Sequence, residues 1–115
     1  MVDVAERTKA EVKTTKRLHI EISGAVQGVG FRPFVFRLAN EMRLNGWVNN
    51  SSQGVFIEVE GNQEQLEEFL FRLANEKPAH SFIQNLDFKF CEPIGFTNFE
   101  IRKSKDNKED IRDNV

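Results

Sequence analysis

Residues 24–33 read Gly-Ala-Val-Gln-Gly-Val-Gly-Phe-Arg-Pro, with three glycines within seven positions. A run of alternating apolar residues precedes this stretch and a run of helical period follows it, which predicts a tight loop from a strand into a helix. Glycine permits positive φ and lets a ligand approach the backbone closely. Pro33 suits the first position of the helix, and the amides at a helix start attract anions. Because Arg32 adds a permanently charged fork of donors, the stretch predicts an anion site.

The segments on either side of this loop have different periodicities. Before it, residues 17–23 alternate, with Leu18, Ile20 and Ile22 on one side, as in a half-buried strand. After it, apolar side chains recur at helical spacing over residues 33–43, as expected for an amphipathic helix. The loop therefore joins the first strand to the first helix.

The rest of the chain repeats these two patterns. Strand-like runs occur at residues 44–50, 55–60, 82–90 and 96–103. The first two are separated by Ser51-Ser52-Gln53-Gly54, a turn sequence that predicts a hairpin. A second helix is predicted from a cap at Asn62 to about Asn75, with Gln65 placed for a weak variant of the capping box.

In the last two strand-like runs, alternation predicts which side chains lie on the same face. Alternation places three apolar residues on one side of the run at 82–90, namely Leu86, Phe88 and Phe90. In the final run, Phe99 and Ile101 are predicted to point inward.

The order of these elements predicts the fold class. It is β-α-β-β-α-β with an extra C-terminal strand, and both helices and the sheet have an apolar face. This combination predicts an α+β fold, a two-layer α/β sandwich of the ferredoxin-like kind with an antiparallel sheet. Residues 17–103 form the predicted domain, residues 1–16 a flexible leader, and residues 104–115 a charged disordered tail or a truncated linker.

Composition limits the classes of function. The chain has 115 residues, which fits one domain, and its net charge of -2 gives no general attraction to nucleic acid or anionic membranes. Its single cysteine, Cys91, excludes an internal disulfide and suits a reducing compartment, which predicts a cytoplasmic protein. No apolar run has the length of a membrane-spanning helix. No cluster of His, Asp and Glu has metal-ligand spacing, so neither a metal nor another cofactor is predicted.

Two motifs resemble the paired signature of the acylphosphatase family. They are Val26-Gln27-Gly28-Val29-x-Phe31-Arg32 and Gly46-Trp47-Val48-x-Asn50. The later Asn98-Phe99-Glu100-Ile101 is similar to the closing strand of that family, so the resemblance covers roughly residues 17–103. It implies an enzyme that hydrolyses acyl phosphates, which are carboxyl-phosphate anhydrides, without a metal.

The resemblance also implies a role for each matching position. The phosphate is held by Arg32 and by the backbone amides of Ala25, Val26, Gln27, Gly28, Val29 and Gly30. Asn50 orients the attacking water, and a hydrogen bond from Ser51 supports Asn50. Such a reaction requires a phosphate that is held still, neutralised charge and one aimed water.

Phe31-Arg32-Pro33-Phe34 narrows the resemblance. It is most similar to the N-terminal acylphosphatase-like domain of HypF-type carbamoyltransferases, large enzymes that make the cyanide ligands of nickel-iron hydrogenases from carbamoyl phosphate. This implies carbamoyl phosphate as the substrate and further domains downstream in the same polypeptide. A free-standing acylphosphatase remains the alternative, with the same site residues.

Other polar residues have simpler interpretations. His19 lies within a strand on its polar side, and His80 lies in a loop, so neither is predicted to act as an acid or a base. Cys91 has no activating base nearby in the sequence and is interpreted as a loop thiol.

A function of another class also stays open, a non-catalytic ferredoxin-like module that binds nucleic acid or a protein. The open sheet face of such folds can stack bases on aromatic side chains. The residues predicted on that face do not form a basic stripe; they are His19, Glu21, Phe56, Glu58 and Glu60. This pattern argues against binding to nucleic acid.

Overall fold

The computed structural model describes residues 14–102. Its elements, in chain order, are β1 (Lys16–Ala25), α1 (Phe31–Glu41), β2 (Asn45–Ser51), β3 (Gly54–Gly61), α2 (Gln63–Asn75), β4 (Phe82–Cys91) and β5 (Phe99–Arg102). This order confirms the predicted α+β class of the ferredoxin-like kind with an extra C-terminal strand. The predicted tail and residues 1–13 of the predicted leader lie outside the described residues, and Lys16 already belongs to β1.

The five strands form one sheet in the order β4-β1-β3-β2-β5. β1 is antiparallel to both β3 and β4, and β2 is antiparallel to β3. The predicted antiparallel pairing therefore holds for β1 to β4, whereas the extra C-terminal strand β5 is parallel to β2 and makes the sheet mixed. The reason is that β4 ends at the same end of the sheet from which β2 starts. The chain crosses that end before β5 begins, so β5 runs in the direction of β2.

The crossing segment, residues 92–98, is bonded to the strands over which it passes. Arg17 Nε in β1 donates to the carbonyl of Glu92 at 2.9 Å. Asn45 Nδ2 in β2 donates to the carbonyl of Phe96 at 3.1 Å. Because this part of the chain is used for the crossing, β5 begins later than the predicted start at residue 96.

Both helices cover the same face of the sheet. α1 packs on β2 and β5, α2 packs on β3, and the helices also contact each other. The side chains predicted to point inward from β1 and β3 are buried; they are Leu18, Ile20, Ile22, Val55, Ile57 and Val59. In the part of the chain described, no helix combines the length and apolar character needed to cross a membrane.

The helix starts follow from their local sequences. α1 begins at Phe31 after Gly30, so Pro33 is its third residue and not its first as predicted. The proline is tolerated there because the first bond of the helix is made by the next residue, Phe34 N to Gly30 O at 3.1 Å. At α2, the side chains of Asn62 and Gln65 each accept from the other's backbone N–H, which confirms the predicted capping box.

Some apolar residues on the helix-covered face remain accessible at the sheet edges. Phe88 lies opposite Ile20 in the register, yet 51% of it is exposed, because β4 is an edge strand outside the cover of the helices. Ile101, on the other edge, lies on the helix-covered face with Phe99 and opposite Val48, as predicted, but it is 43% exposed, whereas Phe99 is buried.

Candidate functional site

The loop after β1, the start of α1 and the end of β2 meet at one end of the sheet. They surround a cavity of about 220 Å³, whose lining residues are Val26, Gly28, Gly30, Phe31, Arg32, Pro33 and Asn50. The glycine loop, the arginine and the asparagine of the two sequence motifs therefore lie around one space. The crossing segment lies at the opposite end of the sheet, so it takes no part in this cavity.

At two positions of the loop, the backbone conformation requires glycine. Gly28 has φ 75° and Gly30 has φ 83°, a left-handed conformation that residues with a side chain rarely adopt. A Cβ atom built at either position would meet no atom within 4 Å. The backbone at both positions is therefore open to a ligand and is not crowded by the protein itself.

The first turn of α1 has no side chain that offsets the positive charge of the helix start. Its N-cap, Gly30, provides no side-chain hydrogen bond, and its first turn has no acidic residue. The amides at a helix start have no partner within the helix and carry partial positive charge. This helix end therefore presents its positive charge to the cavity without a carboxylate of its own turn to neutralise it.

Arg32 adds a full charge to the same place. Its side chain is half-buried and lines the cavity. Among residues 14–102 it has no ion pair and no hydrogen bond, whereas Arg17 pairs with Glu58 at 2.9 Å and Arg72 pairs with Glu76 at 2.9 Å. A guanidinium that faces a cavity without a carboxylate partner is well suited to bind an anion there.

Asn50 lines the cavity and carries an unpaired acceptor among the described residues. Its Oδ1 atom is buried and has no hydrogen-bond partner within the described part of the chain. A buried carbonyl oxygen without a partner is costly, and such atoms are usually satisfied by a group of the protein or by water. This oxygen therefore lacks a donor, and a water molecule is one group that could supply it.

The remaining loop positions are predicted to bind phosphate through their backbone amides, and their side chains make other contacts. Ala25 ends β1 opposite Phe82, Val26 is buried in the core while it also lines the cavity, and Val29 packs against the core. The side chain of Gln27 bonds to the β2–β3 turn. That backbone amides 25–30 hold phosphate stays a prediction.

Ser51 does not make the predicted bond to Asn50 among the described residues. Its hydroxyl instead accepts from the backbone N–H of Gln53 at 3.1 Å and so closes the β2–β3 turn. The bond is local because Gln53 follows two positions later, the spacing at which serine hydroxyls commonly bond to a turn.

Sequence reasoning missed two features of the site. Phe31 and Pro33 line the cavity; their positions beside Arg32 were a usable signal, since they lie in the same first helical turn. The contact of the Gln27 side chain with the turn of the hairpin had no such signal, because its partners lie 24 and 27 residues away in the chain.

The open face of the sheet carries a separate cluster of charges. His19 Nδ1 lies 2.7 Å from Glu58 Oε2, and His19 Nε2 lies 2.9 Å from Glu21 Oε2. Arg17 also pairs with Glu58, which is buried. His19 therefore contacts two carboxylates on the open sheet face and is not among the residues that line the cavity at Gly28 and Gly30. Within residues 14–102, no group of three or more His, Cys, Asp and Glu is placed to hold a metal ion.

Comparison with known proteins identifies the family. A sequence model described as Acylphosphatase matches residues 18–101. The chain is 45% identical over 91 residues to a carbamoyltransferase HypF of Synechocystis, covering 79% of this chain and 12% of that protein. It is 44% identical over 89 residues to an acylphosphatase of Moorella thermoacetica, covering 76% of this chain and 95% of that protein. This chain belongs to the acylphosphatase family, whose members include hydrolases of that name.

A solved structure supports the same assignment. Full-length HypF in a phosphate- and nucleotide-bound form superposes with a TM-score of 0.76 at 37% identity, covering 80% of this chain and 12% of that one. The domain is therefore similar both to one part of these carbamoyltransferases and to whole acylphosphatases. The chain spans about an eighth of the length of the carbamoyltransferases that it matches.

Proposed function

We propose that this domain hydrolyses acyl phosphates without a metal. One observation carries the proposal: Arg32, which has no partner among residues 14–102, and Asn50, whose Oδ1 has none there, line a single cavity with an uncapped, glycine-rich helix start. A phosphate dianion complements the positive charge of the first group and of the helix start. A water molecule complements the oxygen.

The phosphate is bound by the loop amides of residues 25–30 and by the guanidinium of Arg32. Together they neutralise the charge that a metal ion neutralises in other phosphate-transferring sites. The open backbone at Gly28 and Gly30 supports this arrangement, because oxygen atoms of a bound phosphate can approach it without meeting a side chain.

Asn50 orients the water that attacks phosphorus. Its Oδ1 accepts a hydrogen bond from the water and aims the water's lone pair at the held phosphate. The bond between phosphorus and the bridging oxygen breaks, and a carboxylate leaves. Because a carboxylate is a weak base, it needs no acid to protonate it. Among residues 14–102, those that line the cavity include no carboxylate and no histidine, so a phosphate oxygen takes the proton of the water.

Hydrolysis of acetyl phosphate in buffer with a chelator tests the proposal. Wild-type protein is expected to release phosphate at a rate about 10²–10³ times that of Arg32→Ala, the loss typical of removing one electrostatic donor. Arg37→Ala, an exposed arginine on the same helix, is the matched control and should keep the wild-type rate. Equal rates for wild type and Arg32→Ala would refute the proposed activity, and a rate abolished by the chelator would refute metal independence.

We further propose that the domain serves as the N-terminal part of a cytoplasmic carbamoyltransferase that acts on carbamoyl phosphate in the maturation of nickel-iron hydrogenase. The similarity to carbamoyltransferases supports this, together with the sequence at residues 31–34. Residues 17–103 would then form the domain and residues 104–115 the start of a linker to further domains. Neither nucleic acid nor a membrane is a proposed partner.

A free-standing acylphosphatase is the second candidate, favoured by the 95% coverage of the Moorella acylphosphatase. The reading frame beyond the codon for Val115 separates the two. A frame that continues into carbamoyl-transfer domains supports the first candidate, whereas a stop codon at that point supports the second.

A further inference from the structure

The side chain of Gln27 bridges two parts of the site. Its Nε2 atom donates to the carbonyl of Ser51 and, at 3.3 Å, to the carbonyl of Gly54. Ser51 and Gly54 are the paired residues that close the β2–β3 turn. A primary amide has two N–H donors, and both acceptors here belong to the two strands of one hairpin.

The order of the strands shows which parts of the site the Gln27 side chain connects. The glycine loop follows β1, whereas Asn50 lies in β2, and β3 lies between those strands. At a spacing of roughly 4.8 Å per strand, the loop and Asn50 are carried by strands about 10 Å apart. Gln27 extends from the loop to both β3 and β2, and its bond to Ser51 reaches the residue next to Asn50.

We infer that Gln27 is a positioning residue whose side-chain amide sets the distance between the phosphate-binding loop and Asn50. The inference rests on the proposed function, in which the loop holds the phosphate and Asn50 holds the water. A misplacement of about 1 Å between reacting groups can cost on the order of 10² in rate. The tether keeps the water in line with the phosphorus without touching either reactant.

Gln27→Met tests the inference, because methionine has a similar length and no N–H donor. The turnover number on acetyl phosphate is expected to fall about tenfold. The inhibition constant of inorganic phosphate should stay within about twofold of the wild-type value, because the backbone of the glycine loop and Arg32 are retained. Gln53→Met, an exposed glutamine in the same turn, is the matched control and should match wild type. Phosphate inhibition that weakens as much as turnover falls would overturn the inference, since Gln27 would then act on the loop alone.

A double-mutant cycle with Asn50 isolates the positioning effect. In an Asn50→Ala background there is no side chain left to position, so adding Gln27→Met is expected to lower turnover by less than about twofold. A tenfold loss in that background as well would overturn the inference, because the two residues would then act independently.

Hydrogen exchange separates this inference from the proposed function. Loss of the tether is expected to speed exchange of the backbone amides in the Ser51–Gly54 turn about fivefold in Gln27→Met. Unchanged exchange would overturn the tether whether or not the wild type hydrolyses acetyl phosphate. The two ideas can also fail separately. If exchange is faster in Gln27→Met but wild type hydrolyses acetyl phosphate no faster than Arg32→Ala, the tether is supported and the proposed function is refuted.

Discussion

The carboxylate of Glu60 accepts a hydrogen bond of 2.9 Å from the backbone N–H of Phe96. The same carboxylate accepts from the N–H of Ile94 and, at 3.0 Å, from that of Gly95. Glu60 is only 8% exposed, and it lies in the centre of the sheet between β1 and β2. A single buried carboxylate thus holds the segment that carries the chain from one edge strand to the other.

Glu60→Gln is therefore expected to destabilise the fold. The amide keeps one acceptor oxygen but turns N–H donors towards the backbone N–H groups, so the free energy of unfolding should fall by roughly 2 kcal/mol. Urea unfolding measures the change, with Glu68→Gln on the exposed side of α2 as the control. A loss below about 0.5 kcal/mol, the usual range for surface substitutions, would show that the carboxylate does not hold this segment.

Gly28 is expected to tolerate asparagine better than alanine. Its φ of 75° and the open space around it mean that a substitution is penalised by backbone strain and not by a clash. Gly28→Ala should cost roughly 1–2 kcal/mol of unfolding free energy, and Gly28→Asn about half as much, because asparagine adopts the left-handed conformation more readily. Thermal or urea unfolding of both variants provides the comparison, and equal losses would contradict this explanation.

The ion pair between Arg72 and Glu76 at the end of α2 predicts a dependence of stability on pH. A hydrogen bond from Arg72 lowers the pKa of Glu76 below its ordinary value. A carboxylate whose pKa is lowered by folding stabilises the protein above its unfolded pKa, near 4.3, and this contribution is lost as the pH falls through the folded pKa. Because the pair is exposed to solvent, the effect is small.

Urea unfolding at two pH values detects this contribution. Glu76→Gln should be less stable than wild type at pH 7, and the difference should shrink as the pH falls through the lowered folded pKa of Glu76. Glu68→Gln should show no such change with pH. A difference for Glu76→Gln that grows as the pH falls would have the wrong sign for this mechanism.

Periodicity and capping patterns were sufficient to predict the elements. The alternation of Leu18, Ile20 and Ile22 and the Asn62–Gln65 box are local signals, and both describe the structure correctly. The direction of β5 was not predictable in this way, because it depends on the long crossing held by Glu60. On its own strand, Glu60 has the pattern of an ordinary polar residue that faces solvent.

Local sequence likewise predicts some features of the candidate site and not others. The prediction that the loop binds an anion follows from glycines, a helix start and Arg32 within ten residues of sequence. Asn50 has no local signal that separates it from a turn residue, and only the family resemblance singled it out; the structure adds that its oxygen is buried beside the loop without a partner among the described residues. The Gln27 tether depends on strand order, which one sequence does not reveal.

Asn50→Ala is expected to impair the chemical step and to leave the phosphate site intact. Turnover of acetyl phosphate should fall about 10²–10³-fold, while inhibition by inorganic phosphate changes by less than about twofold. Asn49→Ala removes the neighbouring side chain on the opposite face of β2 and serves as the control. Loss of phosphate inhibition in Asn50→Ala would show that this residue binds the anion and does not orient water.

The position of bound phosphate tests the central claim most directly. A crystal structure with inorganic phosphate should show the anion in the cavity at Gly28 and Gly30, bonded to the loop amides and the Arg32 guanidinium, with Asn50 Oδ1 facing a water molecule beside it. An ordered phosphate elsewhere with this cavity unoccupied, for example beside His19 and Lys89 on the open sheet face, would contradict the account.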